Sequence, residues 1–339
     1  NVPDSSTVVL TGSKIWEDYE DAFGLRPEID ENGAVNASEL KLSLSRSADS
    51  QPEQDNAIDP EKVPEEDYTV TWQDDGEGTW TYTIKGADDS DELEANAPNG
   101  MPWKYTVTEV LGDELKQVYT VTPTNVTVGE EDRTEQADTL TVTMLDLKNS
   151  MEQDMPYAKR WTDMAGNEVT GDYIGLELTV KFELQVREKA GTGEEAGEWT
   201  AADTYFRECG DSGLTGEQIA EIFGSSPNFT PIIENQRIGE GTWSGVITDL
   251  PAAIKKDEEI ILLEYRVVET SVTASNSGSQ NITITGELND DGIYDYDVGN
   301  GLIQGAVFNP EGNQTTNRLD VESLAVTKVW AGDHDNIYQ

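Results

Sequence analysis

The sequence predicts an all-β protein built from repeated β-sheet modules, and three observations lead to this fold class. Short segments throughout the chain alternate apolar and polar residues with a period of two, which is typical of strands with one solvated face. Clusters of glycine, proline and acidic residues, such as 74–78 and 98–102, separate these segments as turns do. Several landmark motifs also occur more than once, in the same order along the chain.

The alternating segments are the predicted strands. In the first half of the chain they cover 68–72, 80–84, 105–109 and 140–144. In the second half they cover 176–186, 242–247, 260–268 and 281–285. Because strands account for nearly all of the patterned sequence, helices are expected to be rare.

One short helix is predicted, in an insertion of the second module. Thr215 and Gln218 have the spacing of a capping box, which marks the start of a helix. The apolar residues that follow at helical spacing are Ile219, Ile222 and Phe223.

Three motifs define the internal repeat. A lysine two residues before a tryptophan occurs at Lys14, Lys159 and Lys328. The motif Gly-Glu-Gly-Thr-Trp occurs at 76–80 and at 239–243, and Tyr-x-Val-x-Glu occurs at 105–109 and at 265–269. Their common order indicates that one module is repeated along the chain.

The spacing of these motifs sets the predicted domains. We expect one β-sandwich domain over 1–152 and a second, with the insertion, over 153–320. The segment 321–339 is the start of a third copy, which we expect to be too short to fold alone.

The lysine that opens each module is predicted to point into the core. Lys14 shares its parity with Val8, Leu10 and Trp16, and alternate residues of a strand point to the same face. An ammonium group is almost never buried unless another group compensates it. A lysine at this position in successive modules therefore calls for a chemical explanation, beyond a snorkelling side chain or a simple buried salt bridge.

The composition excludes several classes of function. Acidic residues outnumber basic ones 68 to 22, a net charge of −46, which repels nucleic acids and anionic membranes. We therefore expect no nucleic-acid partner and no membrane insertion. Cys209 and His334 are the only residues of their types, which excludes an internal disulfide and a His/Cys zinc site.

We expect no cofactor and no bound metal. The segment 289–292, with Asp295 and Asp297, is weakly similar to a calcium loop, but it lacks the spacing and closing glutamate of an EF-hand. The sequence leaves open whether calcium binds near Asp291. Carboxylate pairs for glycoside hydrolysis can be chosen anywhere in so acidic a chain, so they do not indicate a hydrolase.

The module starts, such as 326–330, together with the late motif at 105–109, resemble those of the Cna protein B-type (CnaB-like) domains of Gram-positive surface proteins and pilins. The resemblance covers two full modules and the start of a third. It implies Ig-like, prealbumin-related β-sandwiches. It also implies an intramolecular isopeptide bond between a lysine of the first strand and an asparagine of the last, assisted by a glutamate of a middle strand.

Carried over residue by residue, the resemblance implies one such site in each module. The bonded residues would be Lys14 with Asn149 and Lys159 with Asn317, and the assisting residues Glu109 and Glu269. Asn309 and Asn313 remain open as alternatives to Asn317, because the segment around Asn317 is polar. Lys328 has no partner in this chain and is expected to be unreacted.

The function implied by the resemblance is structural. We expect a stalk or shaft segment of an adhesin or pilin, outside the cell and anchored to the wall of a Gram-positive bacterium, with further CnaB-like modules as partners. Reacting once with itself, the chain would not be an enzyme. The alternative is a module that binds a host matrix protein or glycan through the insertion at 204–235.

Overall fold

The structure is a computed structural model in which the chain forms two compact units. It describes residues 7–76, 78–87, 93–122, 126–127, 133–136, 139–170, 177–191, 195–209, 214–223, 229–239, 241–275, 282–288, 294–296, 303–310 and 312–319. The first unit comprises Asn1–Asp154, Val186–Ser225 and Thr248–Tyr265. The second comprises Met155–Gln185, Ser226–Ile247 and Arg266–Gln339. The first unit therefore includes two segments that the sequence analysis assigns to the second module.

Two sheets form the sandwich of the first unit. Its strands are β1 (Thr7–Glu17), β2 (Leu40–Ala48), β3 (Ile58–Lys62), β4 (Tyr68–Asp74), β5 (Thr79–Gly86), β6 (Leu93–Glu94), β7 (Lys104–Leu111), β8 (Thr120–Thr122), β9 (Val126–Thr127), β10 (Arg133–Gln136), β11 (Thr139–Thr143) and β12 (Leu147–Ser150). One sheet has the order β10-β11-β1-β12-β8, with β5 and β6 also pairing with β1, and β4 with β5. The other has the order β3-β2-β7-β9.

Strand β1 is the centre of the larger sheet. It runs parallel to β11 and β12 and antiparallel to β5. Its burial alternates along its whole length, with Val8, Leu10, Lys14 and Trp16 buried. The inward parity predicted for Lys14 is therefore confirmed.

Gly12 lies on the same inward face of β1, where no side chain can be accommodated. A Cβ at this position would overlap the hydroxyl of Tyr82, which is 1% exposed and so cannot move aside. We expect Gly12→Ala to destabilise the first unit by about 1–3 kcal/mol in chemical denaturation, as overpacking does in other cores. Gly216→Ala is the control, because its Cβ meets only Arg207 Nη1 at 3.4 Å and the stability should be unchanged or raised.

The remaining strands form two further sheets. They are β13 (Glu152–Asp163), β14 (Glu177–Glu188), β15 (Thr200–Ala201), β16 (Ile232–Gln236), β17 (Ser244–Pro251), β18 (Ala253–Lys256), β19 (Glu259–Ser275), β20 (Ile282–Leu288), β21 (Tyr294–Tyr296), β22 (Ile303–Asn309) and β23 (Gln314–Leu319). One sheet has the order β17-β13-β23-β22. The other has the order β15-β14-β19-β20-β21, with β16 pairing with β14 and β18 with β19. Each predicted strand falls on an observed one, so the all-β fold class is confirmed.

Two short helices, α1 (Ala202–Glu208) and α2 (Gly216–Phe223), occur where the sequence predicts one. The capping box is present at α2, since the Gln218 backbone N–H donates to Thr215 Oγ1 at 3.2 Å and the Thr215 N–H donates to Gln218 Oε1 at 3.0 Å. Helix α1 has no side-chain cap at its N-terminus, so the sequence carries no start signal for it. Across the described residues, no helix is long and apolar enough to cross a membrane.

Candidate functional site

The first predicted site is assembled by strand register. Strands β1 and β12 are adjacent and parallel, with Lys14 opposite Leu147 and Trp16 opposite Asn149. Lys14 and Asn149 therefore project from the same face of one sheet, one strand apart. Glu109 comes from β7 in the facing sheet, so the three side chains meet in the middle of the sandwich.

Glu109 contacts both of the other residues. Lys14 Nζ lies 3.6 Å from Glu109 Oε2, and Asn149 Nδ2 donates a hydrogen bond to Glu109 Oε1 at 2.7 Å. The side chains of Lys14 and Glu109 are both 0% exposed, and Asn149 is 0% exposed as a residue. Asn149 Oδ1 and Glu109 Oε2 are buried and accept no hydrogen bond. Such orphaned oxygens are costly in a core that serves only packing.

Burial shifts both ionisable groups of the first site toward their neutral forms. It lowers the pKa of Lys14 from 10.5 to about 8, and the nearby carboxylate of Glu109 opposes this only in part. Burial also raises the pKa of Glu109, again with partial opposition, here from Lys14. A proton can therefore pass from the ammonium to the carboxylate at a much lower cost than it could in water.

The second site has the same construction. Strands β13 and β23 are adjacent and parallel, with Lys159 opposite Thr315 and Trp161 opposite Asn317. This is the register of the first site, in which the asparagine also faces the tryptophan. Glu269 comes from β19 in the other sheet.

In the second site the amine already contacts the amide. Lys159 Nζ donates to Asn317 Oδ1 at 2.5 Å and to the Arg160 carbonyl at 3.1 Å, and it lies 3.3 Å from Glu269 Oε2. The lysine and glutamate side chains are 0% exposed, and burial lowers the pKa of Lys159 to about 8. Asn317 Nδ2 and both Glu269 oxygens form no hydrogen bond.

The structure distinguishes Asn317 from its two alternatives. Asn317 is 0% exposed and contacts Lys159. Asn309 is exposed on β22. Asn313 is buried, but its amide bonds backbone groups at Val267 and Pro156 instead of the lysine. The polar segment around Asn317 alternates in burial, with Thr315 and Leu319 sharing its inward face.

A tryptophan lies against each lysine. Lys14 Nζ is 4.1 Å from the ring centroid of Trp16, and Lys159 Nζ is 4.0 Å from that of Trp161. Each of these rings packs edge-on against the tryptophan of the repeated Gly-Glu-Gly-Thr-Trp motif, Trp80 at 5.1 Å and Trp243 at 5.3 Å between centroids. The aromatic pair excludes water from the amine and contributes to the shift of its pKa.

The sequence analysis missed a buried charged group beside the first site. Asp18 is 1% exposed and accepts hydrogen bonds from Arg26 Nε at 2.8 Å and from the Tyr119 hydroxyl at 2.9 Å. Its carboxylate acts against the lowering of the Lys14 pKa. The sequence did contain a signal for the burial of Asp18, because this residue has the same parity as the inward-facing Lys14 and Trp16.

Other predicted features fall outside the described residues. Lys328, residues 321–339 and the possible calcium site near Asp291 are among them. Within the described part of the chain, no group of three or more His, Cys, Asp and Glu side chains could hold a metal ion.

The geometry of both sites suits the condensation of an amine with an amide. The lysine amine, once it has passed a proton to the adjacent glutamate, can attack the asparagine carbonyl carbon, and the glutamate then returns that proton to the oxygen or to the leaving nitrogen. The new C–N bond replaces the C–NH₂ bond, and ammonia leaves with the amine's proton. No other reactant is required.

No protein-family model and no curated protein matches this sequence. Among solved structures, the chain is similar to a single B repeat unit of the collagen-binding surface protein Cna of Staphylococcus aureus, at 14% identity and a TM-score of 0.18, over 93% of this chain and 100% of that one. It is also similar to a C-terminal fragment of the pilus adhesin SpaC from Lactobacillus rhamnosus GG, at 9% identity and a TM-score of 0.20, over 96% and 100% of the two chains. It is similar as well to the shaft pilin SpaA of the same bacterium, at 9% identity and a TM-score of 0.20, over 93% of this chain and 99% of that one.

Proposed function

We propose that this chain is a load-bearing segment of an extracellular stalk or shaft, in which each unit is locked by an isopeptide bond that it forms by itself. The observation that carries the proposal is the contact of Lys159 Nζ with Asn317 Oδ1 at 2.5 Å, with Glu269 beside it in a dry core. In the first unit the same strand register brings Lys14 and Asn149 together, and there Glu109 contacts both of them. A lysine that serves only packing would not be placed twice against an unsatisfied amide and a carboxyl.

The position of the bond explains what it would do under force. In each unit the bond would join two adjacent parallel strands, one near the start and one near the end of the unit's site-bearing sandwich. Tension applied to the ends would then pass through a covalent link instead of peeling strands from the sheet. In the second unit the crosslinked residues are 158 apart in sequence, for which the chain-entropy model gives roughly 5 kcal/mol of stabilisation.

The intact mass of the purified, denatured chain tests this proposal. We expect a mass lower than the sequence mass by two ammonias, each about 17 Da. Glu109→Gln and Glu269→Gln should each restore one ammonia, because an amide cannot supply the acid proton. Peptide mapping should find Lys14 joined to Asn149 and Lys159 to Asn317. The full sequence mass would refute the bond and leave two buried Lys–Glu pairs.

Location and assembly extend the same proposal. We infer an adhesin or pilin of a Gram-positive bacterium, anchored to its cell wall, with neighbouring modules of the same polypeptide as partners. The self-reaction occurs once per site, so the chain is not proposed to be an enzyme. Extraction of the protein from cells by enzymes that cleave the wall, and not by detergent, would support the anchoring.

The alternative, a host-protein or glycan site on the 204–235 insertion, has no structural observation in its favour. Phe206 of α1 packs against Phe223 of α2, with ring centroids 4.7 Å apart, and against Phe23 at 6.0 Å. Two aromatic residues of this insertion, Phe206 and Phe223, therefore serve packing within the first unit. Binding of the intact chain to a matrix-protein or glycan array, lost on substitution within 204–235, would revive this alternative.

A further inference from the structure

One buried side chain beside the second site has no part in the condensation. Asn313 is 7% exposed, and both ends of its amide are bonded to backbone groups. Its Oδ1 accepts a hydrogen bond from the Val267 N–H at 2.9 Å, and its Nδ2 donates to the Pro156 carbonyl at 3.1 Å. Its own carbonyl accepts from the Ala158 N–H at 3.2 Å. A single residue thus joins three separate stretches of chain.

Those three stretches are the strands that carry the site. Pro156 and Ala158 lie on β13 just before Lys159, and Val267 lies on β19 two residues before Glu269. Asn313 itself immediately precedes β23, which carries Asn317. Val267 and Glu269 are alternate residues of β19, so they project from the same face of the strand, and both are nearly fully buried. The Asn313 amide therefore fixes the relative positions of all three reacting side chains through the backbones that bear them.

The backbone conformation restricts which residue can do this. Asn313 has a φ of 48°, in the left-handed region that glycine and asparagine tolerate best. Glycine would allow the conformation but offers no amide. Aspartate would keep the acceptor for Val267 but would lose the donor for Pro156 and set a carboxylate against that carbonyl.

The corresponding position of the first unit cannot form this bridge. The residue four positions before Asn149 is Leu145, which is 60% exposed and whose side chain carries no polar group. The first site therefore serves as an internal reference in the same molecule, because a change at Asn313 should not reach its geometry.

We propose that Asn313 is a positioning residue that aligns β13, β19 and β23 so that the Lys159 amine meets the Asn317 amide. This rests on the proposed self-crosslinking function. Its physical basis is orientation: two groups held in contact react with effective molarities of about 10⁵–10⁸ M, and misplacement by about 1 Å can cost two orders of magnitude in rate.

The test follows each bond separately in time. Wild-type, Asn313→Asp and Asn313→Gly chains are made by cell-free translation, and ammonia loss is followed by intact mass and peptide mapping after translation is stopped. We expect the Lys159–Asn317 bond to form at least tenfold more slowly in both variants, while the Lys14–Asn149 bond keeps its wild-type rate. Asn235→Asp, at an exposed asparagine of the second unit with a similar φ of 51°, is the matched control and should leave both rates unchanged.

The pH dependence separates positioning from a loosened core. In Asn313→Gly, which adds no charge, a purely aligning role predicts that the rate of the second bond falls by the same factor at every pH and that the midpoint of its pH profile stays in place. A shifted midpoint would mean that water has entered the site, and it would overturn the positioning role in favour of a general structural one. Measured in a Glu269→Gln background, where no second bond forms, Asn313→Gly should still give a cooperatively folded second unit.

The remaining outcomes are also decisive. Formation of the second bond at the wild-type rate in both variants would overturn this inference and leave the proposed function intact. Equal slowing of both bonds would overturn it as well, because that pattern indicates a folding defect. Absence of any ammonia loss from the wild-type chain would refute the proposed function, and this inference with it.

Discussion

Replacing Glu269 with leucine is expected to destabilise the second unit by more than the crosslink itself contributes. Two losses add in this variant. The proposed bond between Lys159 and Asn317 is expected not to form without the acid, which would remove roughly 5 kcal/mol of unfolding free energy in the chain-entropy model. The lysine, whose side chain is 0% exposed, is also left without a carboxylate, and an uncompensated buried charge costs about 3–5 kcal/mol. The sum of the two losses is measured by denaturant unfolding, followed by the fluorescence of Trp161 and Trp243. Intact mass shows whether the bond has formed.

The double variant Lys159→Met/Glu269→Leu separates the two losses. It cannot form the bond, but it buries no charge, so it should recover about 3–5 kcal/mol relative to Glu269→Leu alone. Equal stability of the single and double variants would show that Lys159 is not held as a buried ammonium after the glutamate is lost. A Glu269→Leu chain that still lacks one ammonia in each unit would show that the acid is dispensable.

Strand parity predicted the inner face of the first site, and it worked because β1 is regular. Lys14 and Trp16 point inward along an uninterrupted strand, as their spacing indicates. Parity does not give the inner face throughout the other end of the unit. Asn149 is buried with Leu147, but Leu145 is 60% exposed, because β12 begins only at Leu147 and the chain before it is not in a strand. Parity predicts the inward face only within a strand, and the apolar character of a residue does not show whether it lies inside the strand or beyond its end.

Two features that depend on long-range packing were not predicted from the sequence: helix α1 and the placement of Val186–Ser225 in the first unit. Ala202–Glu208 has no capping side chain to mark its start, and its one local helix signal, the Asp203–Arg207 pair at i,i+4, is too weak to predict a helix. Phe206 lies 6.0 Å from Phe23, which is more than the length of a module away in sequence, and contacts of this kind assign Val186–Ser225 to the first unit. A periodicity argument reads one segment at a time and cannot detect such a pairing.

The bridging role of Asn313 was likewise not predicted, although the sequence did single out this residue as a candidate for the bond. The sequence placed it among three candidate asparagines because it lies near Asn317, whose surrounding segment is polar. Only the structure shows that its amide bonds the backbone at Val267 and Pro156, while Asn317 takes the position at the lysine. Side-chain partners of a polar residue follow from strand register, and a one-residue shift in register exchanges the inward and outward faces.

A pH titration of stability is expected to reveal the free lysine of a chain that cannot crosslink in its first unit. Asn149→Leu removes the electrophile and leaves Lys14 buried as an amine with a pKa of about 8, against 10.5 for the ordinary group. Between these two pH values the unfolded chain binds more protons than the folded one, so stability rises with pH. The penalty is fully present below about pH 8 and is gone above about pH 10.5, a change of about 3 kcal/mol.

Wild-type protein is the reference for this titration, because its Lys14 nitrogen would be part of an amide and would not ionise. All other groups are common to the two chains, so the gap between their unfolding free energies should narrow by about 3 kcal/mol from pH 8 to pH 10.5. Above pH 10.5 the remaining difference in unfolding free energy comes only from the crosslink and from the lost contacts of Asn149. Parallel curves would contradict the expectation, because they would mean that the lysine ionises alike in both chains and that the wild-type bond is absent.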